Sequence, residues 1–151
     1  MTKKRHSQYL PLDDYAIIGD AHTAALVARD GSIDWCCWPE FDSPAVFCRI
    51  LDSQRGGHFR IGPAADSYRC SRSYDGLTNV LQTTFETDGG GARLTDLMPV
   101  KPKDNEQGED VAPGHEILRL IEGVHGSVEM EIVFRPTFDY GRGDTTLSIC
   151  D

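Results

Sequence analysis

Between residues 23 and 52 the chain reads TAALVARDGSIDWCCWPEFDSPAVFCRILD, with apolar runs on both sides of Asp30-Gly31. Asp-Gly tolerates the positive φ that a two-residue type I′ turn needs at both central positions. Folding the chain there sets Ala28 against Ile33, Leu26 against Trp35 and Ala24 against Cys37 on one face. The other face sets Val27 against Asp34 and Ala25 against Cys36. Both faces are mostly apolar, so this hairpin is expected to be covered on both sides. Trp38-Pro39 ends the second strand, because proline has no N–H to give a ladder. Ser43-Pro44 has the form of an N-cap and first helical residue. Phe47, Ile50 and Leu51 follow at helical spacing, so a short helix is predicted, stopped by Gly56-Gly57.

The pattern elsewhere predicts more short strands. Tyr15 to Ile18 is one, closed by a Gly19-Asp20 turn. Residues 58–62 form another, with Phe59 and Ile61 inward and His58 outward and exposed. Tyr68, Cys70 and Tyr74 mark a weaker one. A second hairpin joins 80–87 to 92–98 through Asp88-Gly89-Gly90-Gly91. Centring the turn on that loop places Phe85 opposite Leu94 and Leu81 opposite Met98 inside, with Glu86 opposite Arg93 outside. Residues 99–114 are charged and rich in Pro and Gly, which predicts a mobile surface loop. A third hairpin is expected from 115–122 and 128–134, with Leu118 opposite Ile132, Leu120 opposite Met130, and Arg119 facing Glu131. Its second face also carries Ile117, Ile121 and Val133, too apolar for a face that meets only water.

Residues 145–150 are predicted as a last strand, an edge with no turn or polar cap after it. The chain is therefore expected to be one piece of a longer polypeptide or a stand-alone version of that piece. Strands joined as hairpins, with one short helix, predict an all-β antiparallel sandwich over 13–151 behind a tail at 1–12.

Charge narrows the possible partners. With 24 acidic against 15 basic residues and a net charge of −9, nonspecific nucleic-acid binding is disfavoured. Lys3-Lys4-Arg5-His6 has no apolar stretch behind it, so it reads as a solubilising tail rather than a secretory signal. No run is long enough to span a bilayer, and a cytoplasmic location is expected. The five cysteines lack metal-ligand spacing and are expected to be reduced thiols, with no metal and no cofactor. Asp104, Glu106, Glu109 and Asp110 fit a solvated loop better than a cation site.

The candidate chemistry is thin. Gly89 to Gly91 joins two strands, so it is a hairpin tip and not a phosphate loop. The histidines are scattered, and His22 reads as a turn or core-edge residue. The best ligand candidates cluster at the corner Trp35, Trp38, Glu40, Phe41 and Asp42. A sugar offers flat C–H faces and many hydroxyls, which suit an aromatic platform beside a carboxylate acceptor. Trp35 also fits a core position and Asp42 a turn cap.

DDYAIIGDAHTAALVARDGSIDWCCWPEFDSPAVFCRILD from Asp13, GGHFRIGP from Gly56, TNVLQTTFET from Thr78, LTDLMPV from Leu94 and FDYGR from Phe138 together resemble one family. It is the N-terminal region of bacterial and archaeal glycoside hydrolase family 15 proteins, the trehalase- and glucoamylase-like enzymes. Glu40 departs from the pattern, in which a basic residue often precedes Phe-Asp-Ser-Pro. The resemblance implies a β super-sandwich that packs on a helical (α/α)₆ barrel of the same polypeptide. In that family two barrel glutamates perform an inverting hydrolysis of an α-glucosidic bond. Twelve barrel helices at roughly eleven residues each nearly equal this whole chain, so the barrel is not here and no residue is assigned as catalytic. Family N-terminal regions usually continue past this length, which leaves the sandwich open to being incomplete. The implied role is to support the barrel and shape its rim through Trp38, Phe41, Asp42 and Trp35, near an α-glucoside. The alternatives are a carbohydrate-binding module and a domain that self-associates.

Overall fold

The computed structural model describes residues 9–102 and 111–148. The first strands are β1 (Tyr15–Gly19), β2 (Ala24–Ala28), β3 (Ser32–Cys37), β4 (Ala45–Phe47) and β5 (His58–Pro63). Then come β6 (Arg69–Tyr74), β7 (Leu81–Thr87), β8 (Gly90–Leu97), β9 (Val100–Pro102) and β10 (Val111–Pro113). The series closes with β11 (Leu118–Gly126) and β12 (Met130–Arg135). One sheet runs β1-β2-β3-β5-β12, with β4 on the end of β3, and the other runs β11-β8-β7-β6. Every ladder is antiparallel, and the two sheets enclose the core. The expected all-β sandwich is the architecture found.

The β2–β3 hairpin turns at Asp30-Gly31, and Leu26–Trp35 and Ala25–Cys36 pair as expected. A bulge then slips the register. Val27 meets Ile33, leaving Asp34 as the extra residue on β3, a common way to add twist without losing the buried faces. Gly31 has φ 78°, and a Cβ there would lie 2.0 Å from the Ile61 carbonyl oxygen. Only glycine fits that turn.

Between the sheets, Ile18, Val27, Ile33 and Phe47 of the first meet Leu81 and Met98 of the second strand system. Ile61 meets Phe85 and Leu94 in a neighbouring cluster. Among these apolar layers lies one buried ion pair. The Arg119 guanidinium on β11 donates to both Asp96 carboxylate oxygens (2.8 and 3.2 Å) and to the carbonyls of Phe59 and Gly31 (2.6 Å each). It also lies over the Phe59 ring, 4.7 Å from the centroid.

Several expectations need correction. No helix follows Ser43-Pro44: Ala45–Phe47 is β4, with Phe47 opposite Cys36 and Ala45 opposite Cys37. The backbone edge of β3 takes those residues as a strand, and Leu51, expected on the docked helix face, is exposed. The second hairpin exists, but its turn is Asp88-Gly89. Phe85 therefore faces Ala92, Thr83 faces Leu94 and Leu81 faces Asp96. That slip of two residues preserves both faces, so Phe85, Leu94, Leu81 and Met98 are buried as expected. Glu86 meets His125 at 3.0 Å rather than Arg93.

The third hairpin does not form. β11 joins β8 in one sheet and β12 joins β5 in the other, and Glu131 pairs with Arg60 at 2.7 Å. His58 is half-buried rather than exposed. Residues 145–148 are not a strand. The ends of the predicted 99–114 loop pair as β9 and β10. Asp104, Glu106, Glu109 and Asp110 lie outside the described residues.

Candidate functional site

Alternating strand direction collects four connections at one end of the sandwich. They are the β1–β2 loop, the β3–β4 corner, the β6–β7 turn, and the stretch linking β8 to β11. The β1–β2 loop is tied by Asp20, whose Oδ1 accepts from the His22 and Thr23 amides at 3.0 and 2.8 Å. An Asp at a turn bonding the next amides is what Gly19-Asp20 suggests. The second carboxylate oxygen, Oδ2, and His22 Nδ1 are buried and have no hydrogen-bond partner among the described residues. Thr23 Oγ1 donates to the Cys37 carbonyl, which fastens this loop to the end of β3.

The β3–β4 corner sits on that loop. The Phe41 amide donates to the His22 carbonyl at 2.9 Å. The Glu40 amide donates to Ser43 Oγ, and the Ser43 amide returns to the Glu40 carbonyl, 3.1 Å each. These bonds hold Phe41 out in solvent, 62% exposed, with Asp42 exposed beside it. Trp38 lies half-buried against the core and meets the His115 ring edge-on, with centroids 6.3 Å apart. The corner thus brings together Trp38, Phe41 and Asp42. Trp35 is not part of it. Its ring faces the opposite side of the first sheet, with Cys37, Ala45 and Cys48, 6.3 Å from Tyr140.

Beside the corner is an apolar concavity of about 350 Å³, lined by Trp38, His115, Phe47, Phe59, Phe134 and Phe138 among others. Three of those rings stack edge to face, Phe59–Phe134 at 5.1 Å and Phe47–Phe134 at 6.0 Å, the arrangement ring quadrupoles favour. Such a surface can hold an apolar side chain or the face of a sugar ring. Its polar atoms are few. His115 and Glu116 contribute from a connection far along the chain, which is why the sequence did not single them out.

The other polar clusters are built for structure. Asp34 accepts from Tyr15 Oη at 2.8 Å, from Ser32 Oγ, and from Arg49 at 3.4 Å. Burial first, and then that bond to Asp34, push the Tyr15 phenol well above its usual range. Burial also pushes the Asp96 carboxyl up, while the Arg119 guanidinium pulls it back. Asp96 is sealed between the sheets, out of reach of any substrate. Cys36, Cys37 and Cys48 are buried free thiols, and burial raises Cys36 to about 12. Such thiols are inert. Among the described residues no group of three His, Cys, Asp or Glu side chains is placed to hold a metal, and no helix is long and apolar enough to cross a membrane.

Comparison with known proteins places this geometry. The family described as trehalase-like, N-terminal, matches residues 5–151. A trehalase of Thermoplasma volcanium is 42% identical over 137 residues, covering 89% of this chain and 21% of the relative. Trehalases of Mycolicibacterium smegmatis (34% over 145 residues) and Mycobacterium tuberculosis (36% over 141) cover 90% and 87% of this chain. They are themselves covered to 22% and 21%, so the chain spans about a fifth of their length. No solved structure gives a significant match. An antiparallel sandwich matched by the family model over residues 5–151 belongs to the trehalase-like N-terminal domain family.

Proposed function

We propose that this chain is the non-catalytic N-terminal domain of a glycoside hydrolase of family 15, trehalase- or glucoamylase-like, that cleaves an α-glucosidic bond in the cytoplasm. Its role is to pack on the catalytic domain of the same polypeptide and to present the Trp38–Phe41–Asp42 corner at the rim of that domain's site. One observation carries the reading: the trehalases it resembles align to it over only about a fifth of their length. The corner supports the second half of it. Two backbone–backbone bonds and two through the Ser43 and Thr23 hydroxyls brace the corner that carries a largely exposed aromatic and an exposed carboxylate, which suits contact with another surface or a sugar.

The isolated chain is expected to read at a buffer blank on trehalose and on maltooligosaccharides. Turnover above that blank overturns the non-catalytic assignment. In the protein extended by the residues encoded after Asp151, Phe41→Ala is expected to raise KM about tenfold, the equivalent of ~1.4 kcal/mol, with kcat little changed. Unchanged kinetics would remove the corner from the rim.

A second reading is favoured by the aromatic concavity beneath Trp38: a module that binds an α-glucoside on its own. Trp38 fluorescence should then shift on titration with maltose or trehalose. A flat signal at high millimolar sugar disposes of it.

A further inference from the structure

One buried charge at the loop end of the sandwich has no counter-charge. Asp20 is 2% exposed, and its Oδ1 accepts from the His22 and Thr23 amides. Oδ2 has no hydrogen-bond partner among the described residues, and Asp20 takes part in none of the ion pairs found among them. A buried carboxylate left that way is costly; Asp96, by contrast, has Arg119. Asp20 lines a concavity of about 460 Å³ between the β1–β2 loop, the β6–β7 turn and the link from β8 to β9. Val80, Met98, Pro99 and Val100 give it an apolar wall. Asn79, the other polar side chain there, already donates to the Gly19 carbonyl at 3.0 Å. Two residues earlier on the same turn, Leu77 is fully exposed. The turn beneath it is braced all the same: the Asp75 amide donates to the Val80 carbonyl at 2.9 Å and the Thr78 amide to the Asp75 carbonyl at 3.1 Å.

We propose that this concavity receives a long cationic side chain, arginine or lysine, from the catalytic domain of the same polypeptide, with its stem along the apolar wall and its charged head on Asp20 Oδ2. The inference rests on the proposed function, because it takes that domain as the partner. The chemistry of the wall selects the occupant. A cation balances a full negative charge, whereas a sugar hydroxyl leaves it standing, and a polyol finds few other polar groups here. Arginine and lysine bury an aliphatic stem and deliver charge at the tip, which matches an apolar wall with one carboxylate. Position selects the source. β3 and β12 both run antiparallel to β5, so β12 leads toward the end that carries the β3–β4 corner. Phe138, just beyond β12, already shares a concavity with Trp38. The corner in turn is joined to the β1–β2 loop by the Phe41 amide on the His22 carbonyl. The relatives carry about four-fifths of their length outside the match, enough for a domain that covers this end.

Asp20→Asn keeps an oxygen for the two amides and removes the charge, so its effect should change sign with the partner. In the 151-residue chain it should leave Tm unchanged or raise it by up to about 3 °C, because an unpaired buried charge is lost. In the protein extended by the residues encoded after Asp151 it should lower Tm by about 4 °C or more, because the partner's cation is stranded. In that background, replacing the arginines and lysines of the catalytic domain one at a time by methionine should uncover one position that recovers most of the loss. Recovery at none of them overturns the proposal. So does an Asp20→Asn shift that is the same in both proteins; if Leu77→Ser then lowers Tm in the extended protein alone, the end is covered but no cation enters it. A Tm that falls in the short chain as well puts the partner within the 151 residues, or in a second copy where the fall depends on concentration, and overturns it too. α-Glucosidase activity is read on the same extended protein. Activity with equal shifts overturns the inference and leaves the proposed function standing. Shifts of opposite sign without activity support the contact and sink the assigned activity instead.

Discussion

The two flanks of the sandwich manage the same problem in different ways. On the β1/β6 side, side chains occupy the groups an edge would offer. Tyr74 Oη accepts from the Ile17 amide at 3.0 Å and donates to the Ile17 carbonyl at 2.7 Å, and Asn79 Nδ2 donates to the Gly19 carbonyl at 3.0 Å, all on the free edge of β1. Arg72 donates to the Val27 carbonyl at 2.9 Å, beside the β2 bulge, and Cys70 Sγ to that of Arg29 at 3.1 Å. β6 itself is rich in Arg and Ser, a polar edge that discourages pairing. On the β11/β12 side, Arg119 makes the side-chain hydrogen bonds that cross between the sheets among the described residues. Arg119 reaches inward from β11 to Asp96 on its own sheet and to Phe59 and Gly31 on the other. Around it, apolar residues stay in water. A flank stitched by many small bonds is finished. Among the described strands the other flank stays open, with Ile121 and Ile132 partly exposed beside the buried Arg119.

Arg119→Met should break this contrast most severely. It leaves Asp96 buried without its counter-charge, along with two carbonyls that lose their donor, and removing one partner of such a pair costs about 3–5 kcal/mol. Urea denaturation should show that loss. The double variant Arg119→Met/Asp96→Leu should recover most of it, because the penalty lies in the abandoned charge more than in the pair. If the single variant loses under 1 kcal/mol, the guanidinium is not what joins the sheets.

A smaller effect is expected on the stitched side. Tyr74→Phe removes two bonds from a residue that is 42% exposed, and water can replace part of each. A loss of about 1 kcal/mol is expected, with faster exchange at the Ile17 amide while the β11 amides are unaffected. Exchange at Ile17 that does not change would mean Tyr74 covers the edge without sealing it.

What the sequence disclosed depended on how local the information was. Asp30-Gly31 announced its hairpin because a two-residue turn is written in two residues. The faces of β7 and β8 were legible although their register was not, since a slip of two leaves every side chain on its own side. Phe47, Ile50 and Leu51 have helical spacing, but Phe47 pairs with Cys36. The free edge of β3 outweighed a short local preference, as tertiary context commonly does. Alternation in 118–122 and 130–134 correctly said strand but could not say whose partner each was. Arg119 finds Asp96 across a separation of 23 residues, and nothing near either position points to the other. The site followed the same rule. Trp38, Phe41 and Asp42 lie within one corner and were found together. His115 joins them only because β8 and β11 end at the same end of the sandwich.

The gentlest probe of the open side is a titration. His58 lies on β5, directly opposite Arg135 of the open-edge strand β12. Burial holds its imidazole below the usual 6.5, and the nearby Arg49 and Arg135 cations add to this while Asp34 and Asp30 oppose it. Because the folded-state value is the lower one, the unfolded chain binds the proton more readily. Stability is therefore unaffected by His58 well above pH 6.5 and falls as pH drops through 6.5 toward the depressed folded value. The effect is modest, since the ring is only half-buried and solvent screens it. His58→Gln should flatten the stability profile across that window and leave it unchanged above pH 7. A wild-type slope that persists in His58→Gln would assign the titration to another group.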